Sequence, residues 1–462
     1  MDRSRAALAV LLTALFLGSG WDLLLRWIPW GVNAPIWTFL FVAGVVWCAV
    51  RLGRASLPLL VVASALVGAA GIAWRDSPVL VGLDVALLVL LLPMLALHAR
   101  GIRLTSTGLS HIAIALLTTV VQSVAGLFQL LLTDLEWHRL PRPVSFRGAG
   151  VFFRGVLIAI PALVLFGSLL ISADPAFRRL ILDLAVFDVQ EVILHIVVTF
   201  VVAAVCAGFL RSLLFSGPAV SLSRPAFLSL PAAETQIALG LINLLFAAFV
   251  AVQFRYFFGG TATMGVASLS YSDYARRGFF ELVWVVALAL PMLLVLDWLV
   301  DKSGGSGAFR TSALIQVVLI LVIAASAYRR MQLYRDEFGL TQLRLYTTAF
   351  MLWLGVLLVW FAATVLTGQR HRFAAGVLTS GVIAVVALHA INPDALIVRT
   401  NLARAAAGKR PFDAAYALTL SDDAVPALQN HPELRRAFAE RPRPRGWRTW
   451  NLSRERARRL SQ

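Results

Sequence analysis

The chain has 462 residues, of which 59% are hydrophobic and 14% charged, with a net charge of +17. A soluble chain of this size carries roughly 25% charged residues and no repeated uncharged runs of about 20 apolar residues, so a soluble globular protein is excluded. The base is almost all arginine, with lysine only at 302 and 409, and it is scattered over loops and a tail. That is the distribution of a topology signal rather than of a nucleic-acid-reading domain, and no nucleic-acid partner is expected.

In chain order the apolar runs fall at 7–25, 34–50, 57–74, 79–98, 112–133, 151–171, 190–214, 234–257, 279–300, 311–327, 345–367 and 373–391. Continuous runs of this length predict helices rather than barrel strands. The expected fold is an all-α polytopic transmembrane bundle of about twelve spans, with a short helical C-terminal cap. Run 112–133 carries no charge, and its Thr118, Gln122 and Gln129 share one helical stripe. It reads as a span with a polar face turned into the bundle, or alternatively as an interfacial helix beside eleven spans. The predicted divisions are a four-helix segment over 1–110, the disputed helix and loop over 111–150, a main membrane domain over 151–408 and a basic tail over 409–462. Cys48 and Cys206 both lie in apolar runs, so no disulfide framework is expected.

Arg3 and Arg5 precede the first run, Arg51 and Arg54 follow the second, and Arg100 and Arg103 follow the fourth. From Arg399 onward there are fourteen Lys plus Arg against six Asp plus Glu. Both patterns place the two termini in the cytoplasm of a twelve-span protein.

Four polar elbows interrupt the apolar pattern. In "SADPAFRRLILDL", Asp174 and Pro175 read as an N-cap and first helical residue of a short interfacial helix. In "SYSDYARRGFFELVWVVALAL", Asp273, Arg276 and Arg277 lead into an apolar run that contains Glu281. A carboxylate at membrane depth needs a partner, so Glu281 is expected to face the bundle interior, paired with Arg277, Arg344 or Arg399. In "AYRRMQLYRDEFGLTQLRLY", a helix carrying Asp336 should stop at Gly339. Thr341 should cap the next helix, with Leu340 and Leu345 as a hydrophobic staple. In "HAINPDALIVRTNLARAAAG", Asn392-Pro393 should end one helix and start another, with Asp394 in its first turn and Arg399 beyond.

Parity of crossings puts all four elbows on one membrane face. Asp174, Asp273, Arg276, Arg277, Glu281, Asp336, Arg344, Asn392, Asp394 and Arg399 are therefore candidates for a shared polar site; alternatively they are helix caps and topology signals. Phosphate-loop, nucleophile-elbow and zinc-helix motifs do not occur, and no metal or other cofactor is expected. His389 with Asp394 lacks a third ligand at recognisable spacing. His195 reads as a polar contact within its span. In the tail, Ser421 and Pro432 mark helix starts, "RPRPR" reads as a stiff linker, and Trp447 and Trp450 precede a basic helix. The expected partners are the bilayer itself and, through this tail, anionic lipids.

The stretches "ADPAF", "YARRGFFEL", "FGLTQLRLY", "NPDALIVRTNLAR", "DAVPAL" and "WNLSRERA" resemble the bacterial membrane proteins of the domain-of-unknown-function family 4173. The resemblance covers about Val151 to Leu460. It implies a bacterial cytoplasmic membrane and the same multispan plan, and supplies no activity. The functions compatible with the sequence are transport or permease-like handling of a small or lipid-like solute, a membrane-embedded enzyme using Glu281 or Asp394 as acid or base, and a signalling or scaffold protein.

Overall fold

A computed structural model describes residues 3–27, 29–51, 58–100, 102, 107, 109–135, 159, 166–167, 170, 172–175, 189–215, 230–258, 279–300, 306–444 and 446–461. The long helices are α1 (Arg3–Leu25), α2 (Asn33–Arg51), α3 (Leu59–Trp74), α4 (Pro78–Ala99), α5 (Leu109–Gln129, extended by one wider turn to Asp134), α6 (Val189–Phe215), α7 (Ala232–Phe258), α8 (Phe279–Leu299), α9 (Ser306–Phe338), α10 (Gln342–Thr364) and α11 (Phe373–Ile391). Shorter helices follow: α12 (Pro393–Ala406), α13 (Ala414–Ala417), α14 (Pro432–Ala439) and α15 (Leu452–Ser461), with a 3-10 helix at Asp422–Ala427.

Among the described residues, ten helices are long and apolar enough to cross a bilayer, and α5 is one of them. The protein is an integral multi-pass membrane protein of all-α class. Large apolar side chains such as Leu12, Phe16, Leu244, Trp284 and Val356 are exposed along these helices, where a soluble fold would bury them. Two of the twelve expected spans are not among the ten. Helix α3 has 16 residues, about 24 Å of rise, short of the roughly 30 Å hydrocarbon core. Run 151–171 lies almost wholly outside the described residues.

The chain forms two compact units that interleave along the sequence: residues 1–28, 39–56 and 118–216 in one, and 29–38, 57–117 and 217–462 in the other. In the first, helices approach closely at small residues, as membrane helices do where no side chain separates the backbones. A Cβ on Gly18 would lie 2.4 Å from the Thr199 carbonyl oxygen, and one on Gly126 would lie 2.6 Å from Gly208 Cα. The buried stripe of α5 is Ile112, Ala115, Thr119, Ser123, Gly126 and Leu127. It is therefore centred one residue from the expected Thr118–Gln122–Gln129 stripe: Thr118 and Gln122 are half-buried and Gln129 is exposed. The small Ser123 and Gly126 permit the Gly208 contact; glutamines would hold the helices apart. Asp134, fully buried, accepts from Arg211 Nε at 2.5 Å and pairs with Arg3 at 2.5 Å. His195 faces Asp22, and Arg26 pairs with Glu191 at 2.6 Å.

In the second unit, Val286, Leu293, Ile320, Phe361 and Phe373 belong to one buried cluster shared by α8, α9, α10 and α11. Amides join α7 to α9: Gln236 donates to Ser312 and Asn243 to the Ser312 carbonyl at 2.9 Å, while Gln253 accepts from Arg330 at 2.7 Å. A second cluster lies under the elbows, where Leu340, Leu345, Ile397, Val398, Leu420, Val425, Leu428 and Phe438 are buried together. The tail is thus packed, not trailing. Burying side chains of this size is worth about 1.5–3 kcal/mol each.

Candidate functional site

The third and fourth elbows meet, and local cap chemistry explains how. Helix α9 ends at Phe338, and Gly339 takes φ +81°, a conformation that favours glycine. Asn401 of α12 reads that turn: its amide nitrogen donates to the Leu340 carbonyl at 2.9 Å, and its oxygen accepts from Leu340 N at 2.8 Å. Arg404 donates to the Asp336 and Glu337 carbonyls, capping the C-terminal end of α9. Leu340 and Leu345 are buried in one cluster, as a staple requires. Thr341 occupies the N-cap position of α10 without a side-chain cap bond.

At the fourth elbow Asn392 is left-handed (φ 55°) and its side chain accepts from Ala395 N, with Pro393 opening α12. The Asn392 amide also donates to the Asp423 carbonyl at 3.0 Å. Asp394 is fully buried: one oxygen accepts from Gln342 Nε2 at 2.9 Å, the other from Ser421 N at 3.1 Å and Ser421 Oγ at 2.6 Å.

The tail then clasps the short loop between α3 and α4, "RDS", which sequence reasoning passed over. Asp423, 1% exposed, accepts from Asp76 N (2.7 Å), Ser77 N (2.9 Å) and Ser421 Oγ (3.3 Å) on one oxygen. Its other oxygen takes Ser453 Oγ and the Arg75 guanidinium. Asp76 accepts from Arg454 Nε at 2.6 Å, and Asp422 is held bidentately by Arg443. Asn451 donates to the Ile72 and Arg75 carbonyls, both at 2.9 Å. Gly31 permits the tail backbone to come close: a Cβ there would meet the Trp450 carbonyl at 2.2 Å.

Burial pushes the Asp76 carboxyl above its usual range, with Arg454 opposing; burial likewise lowers Arg75, with Asp423 opposing. Because Asp76 is raised on folding, its contribution is full below the unfolded value of about 3.9 and is lost as pH rises through the folded value. Melting curves from about pH 4 upward should therefore show a fall in stability that Asp76→Asn removes. An identical pH slope in both proteins would refute this burial effect.

The side chains of Glu281, Asp336 and Arg399 do not join this assembly. Glu281 is exposed in the first turn of α8 rather than turned into the bundle. The helix N-terminus favours a carboxylate there, so burial against an arginine is not required. Arg344 donates to the Gly339 carbonyl at 2.5 Å and lies 4.1 Å from the Tyr334 ring centroid. Arg399 and Asp336 are exposed, and Asp336 meets Arg335 at 3.7 Å on the surface, a pair worth about 0–1 kcal/mol. Asp174 is exposed and belongs to the other compact unit. Asp273, Arg276 and Arg277 lie outside the described residues.

His389 faces Asp84 of α4 at 3.1 Å and not Asp394; both side chains are buried, 3% and 1% exposed. Asp84 was missed although it is a carboxylate in an otherwise uncharged run, the same signal that drew attention to Glu281. No group of three or more His, Cys, Asp or Glu suited to a metal occurs among the described residues.

Beside this pair, α4, α10 and α11 form a groove of about 450 Å³. Leu83, Leu87 and Leu90, with Ala349, Phe350, Leu378 and Leu388, supply its apolar lining. Its two polar-tipped residues are already engaged: the Tyr346 hydroxyl is 3.3 Å from Ser77 Oγ, and Trp353 Nε1 donates to Ser380 Oγ at 3.1 Å. A second cleft, of about 730 Å³, lies in the tail among Arg441, Arg443, Arg454, Arg458, Trp447 and Trp450.

A family model described as Domain of unknown function (DUF4153) matches residues 62–431, well over half of the chain. The elbow motifs resembled family 4173; the match shows a domain-of-unknown-function family, the one numbered 4153. No curated protein and no solved structure matches the chain.

Proposed function

The chain belongs to the family of domain of unknown function 4153, and we propose that it handles a lipid-like solute by seating an acyl chain in the groove between α4, α10 and α11. The observation that carries this reading is the groove's lining, which offers a hydrocarbon chain continuous contact and presents polar atoms only at Tyr346 and Trp353, both already in hydrogen-bond contact. Its volume is that of an ordinary ligand pocket, about 300–1,000 Å³. From Val79 to Leu90 it follows α4 for about 16 Å, roughly half the hydrocarbon core and so the depth of one leaflet.

The enzyme reading loses support at the elbows. Both Asp394 oxygens and both Asp423 oxygens are engaged by donors that hold the tail in place, which suits a clamp better than an acid or base. The arginine pattern supports both termini lying inside, and the resemblance of the elbow motifs implies a bacterial cytoplasmic membrane. The tail cleft, with exposed Trp447 and Trp450 among arginines, then suits anionic headgroups.

Gly381→Leu tests the groove. A Cβ at Gly381 meets only Trp353, at 3.7 Å, so a leucine fills the groove without a backbone clash. Lipid retained through purification, counted by native mass spectrometry, should fall at least tenfold, about 1.4 kcal/mol. Unchanged lipid retention in a folded variant would sink the proposal.

A further inference from the structure

The hydrogen bonds around His389 constrain its protons. Nδ1 lies 2.9 Å from the Val385 carbonyl oxygen, which can only accept, so Nδ1 carries a hydrogen and donates it. Nε2 lies 3.1 Å from Asp84 Oδ2. A neutral imidazole protonated at Nδ1 presents a lone pair at Nε2, and an ionised carboxylate presents lone pairs at Oδ2. Two lone pairs held at hydrogen-bond distance in a buried site repel each other. The contact closes when one proton lies within it.

We infer that Asp84 and His389 form an intramembrane proton site, which holds one proton between Nε2 and Oδ2 and thereby fastens α4 to α11. The surroundings favour placing that proton on Asp84. Asp84 Oδ1 has no hydrogen-bond partner among the described residues, an arrangement that costs an acid carbonyl less than a carboxylate. The Arg75 guanidinium, donating to the His389 carbonyl, works against a second positive charge on the ring. Among the described residues, Tyr346 of α10, Asp394 of α12, Asp76 of the α3–α4 loop and Asp423 and Arg454 of the tail are titratable groups on neighbouring segments, and each is engaged elsewhere rather than hydrogen-bonded to the pair. Gly71 of α3 covers the site so closely that a Cβ there would lie 2.7 Å from Asp84 Oδ2 and from His389 Nε2.

Release of the proton leaves a net negative charge in the membrane and two opposed lone pairs, so the seam between α4 and α11 parts. Groove-lining Leu83 and Leu87 lie next to Asp84 and one turn from it, and Val385 and Leu388 stand likewise to His389. The seam is therefore one wall of the groove. The proton site stands whatever occupies the groove.

The test uses full-length protein in lipid nanodiscs with nitrogen-15-labelled histidine, the His389 signals being assigned by their loss in His389→Gln. At about pH 7.5 an isolated imidazole (pKa about 6.5) and an isolated carboxylate (about 3.9) carry no such proton. His389 should nevertheless show Nδ1 protonated and Nε2 hydrogen-bonded to a proton, alongside an infrared carboxylic-acid band that Asp84→Asn removes. Spin labels at the exposed Val89 and Ile383 should move apart in the wild type as pH rises far enough to remove that proton. In Asp84→Asn they should not, because the asparagine amide supplies a non-titrating donor to Nε2. A bare Nε2 with an ionised Asp84 at about pH 7.5 would overturn the inference, read on the wild type alone. So would a pH-driven separation that Asp84→Asn leaves intact.

Discussion

Asp423→Ala should detach the C-terminal cap from the elbows and lower the unfolding free energy by about 3–5 kcal/mol, the loss expected when one member of a buried charge pair is removed. The substitution strips an acceptor from Asp76 N, Ser77 N, Ser421 Oγ, Ser453 Oγ and Arg75 at once. Arg75 would stay buried, 7% exposed, holding the His389 carbonyl and the Trp74 ring face but no carboxylate. The hydrophobic cluster containing Leu420, Val425 and Leu428 would then be left without its polar frame. A large drop in the detergent melting temperature should accompany rapid proteolysis between Gly408 and Ser421. Asp423→Asn, which keeps one acceptor oxygen and the shape, should lose less. Wild-type melting and wild-type protease resistance in Asp423→Ala would show that the cap is held by its apolar contacts alone.

Gly208→Val should be the most damaging single change in the first compact unit. A Cβ at 208 would sit 2.0 Å from the Ser123 carbonyl oxygen and 2.7 Å from its carbon, and these are backbone atoms with no rotamer to yield. Helices α5 and α6 would have to separate, at the roughly 1–3 kcal/mol typical of overpacking. Arg211, one turn from Gly208, would withdraw from Asp134, leaving a fully buried carboxylate short of a partner. Loss of a buried pair adds about 3–5 kcal/mol, so this variant should fail to fold or melt far below the wild type. Gly240→Val, at a position with open space around it, is the control and should melt as the wild type does. Equal stability of the two variants would contradict the close crossing.

The fourth elbow was conspicuous in the sequence, and its motif and the two tail motifs prove to be the two halves of one clamp. "NPDALIVRTNLAR" supplies Asn392, Asp394, Asn401 and Arg404, and "DAVPAL" and "WNLSRERA" supply Asp423, Asn451, Ser453 and Arg454. Glu281 and Asp84 posed the same question in the sequence, a carboxylate inside an apolar run. Only Asp84 is buried, because Glu281 lies in the first turn of its helix and Asp84 lies about 9 Å along α4.

What the sequence determined by itself was whatever depends on near neighbours along the chain. Apolar runs longer than a bilayer is thick force helices that cross it, because backbone groups in hydrocarbon must pair within their own segment. Asn392-Pro393 and Gly339 set helix ends because a cap is satisfied within about four residues. What only the tertiary structure decided was the identity of distant partners. His389 and Asp84 are 305 positions apart, Asp423 and Ser77 are 346, and Arg454 and Asp76 are 378. An apolar run of uniform hydropathy does not say which of its faces meets lipid and which meets another helix, since both surroundings are apolar. That choice rests on shape, on glycines such as Gly71 and Gly208 where atoms of another helix come within 3 Å of where a Cβ would stand, and shape exists only once the helices are packed.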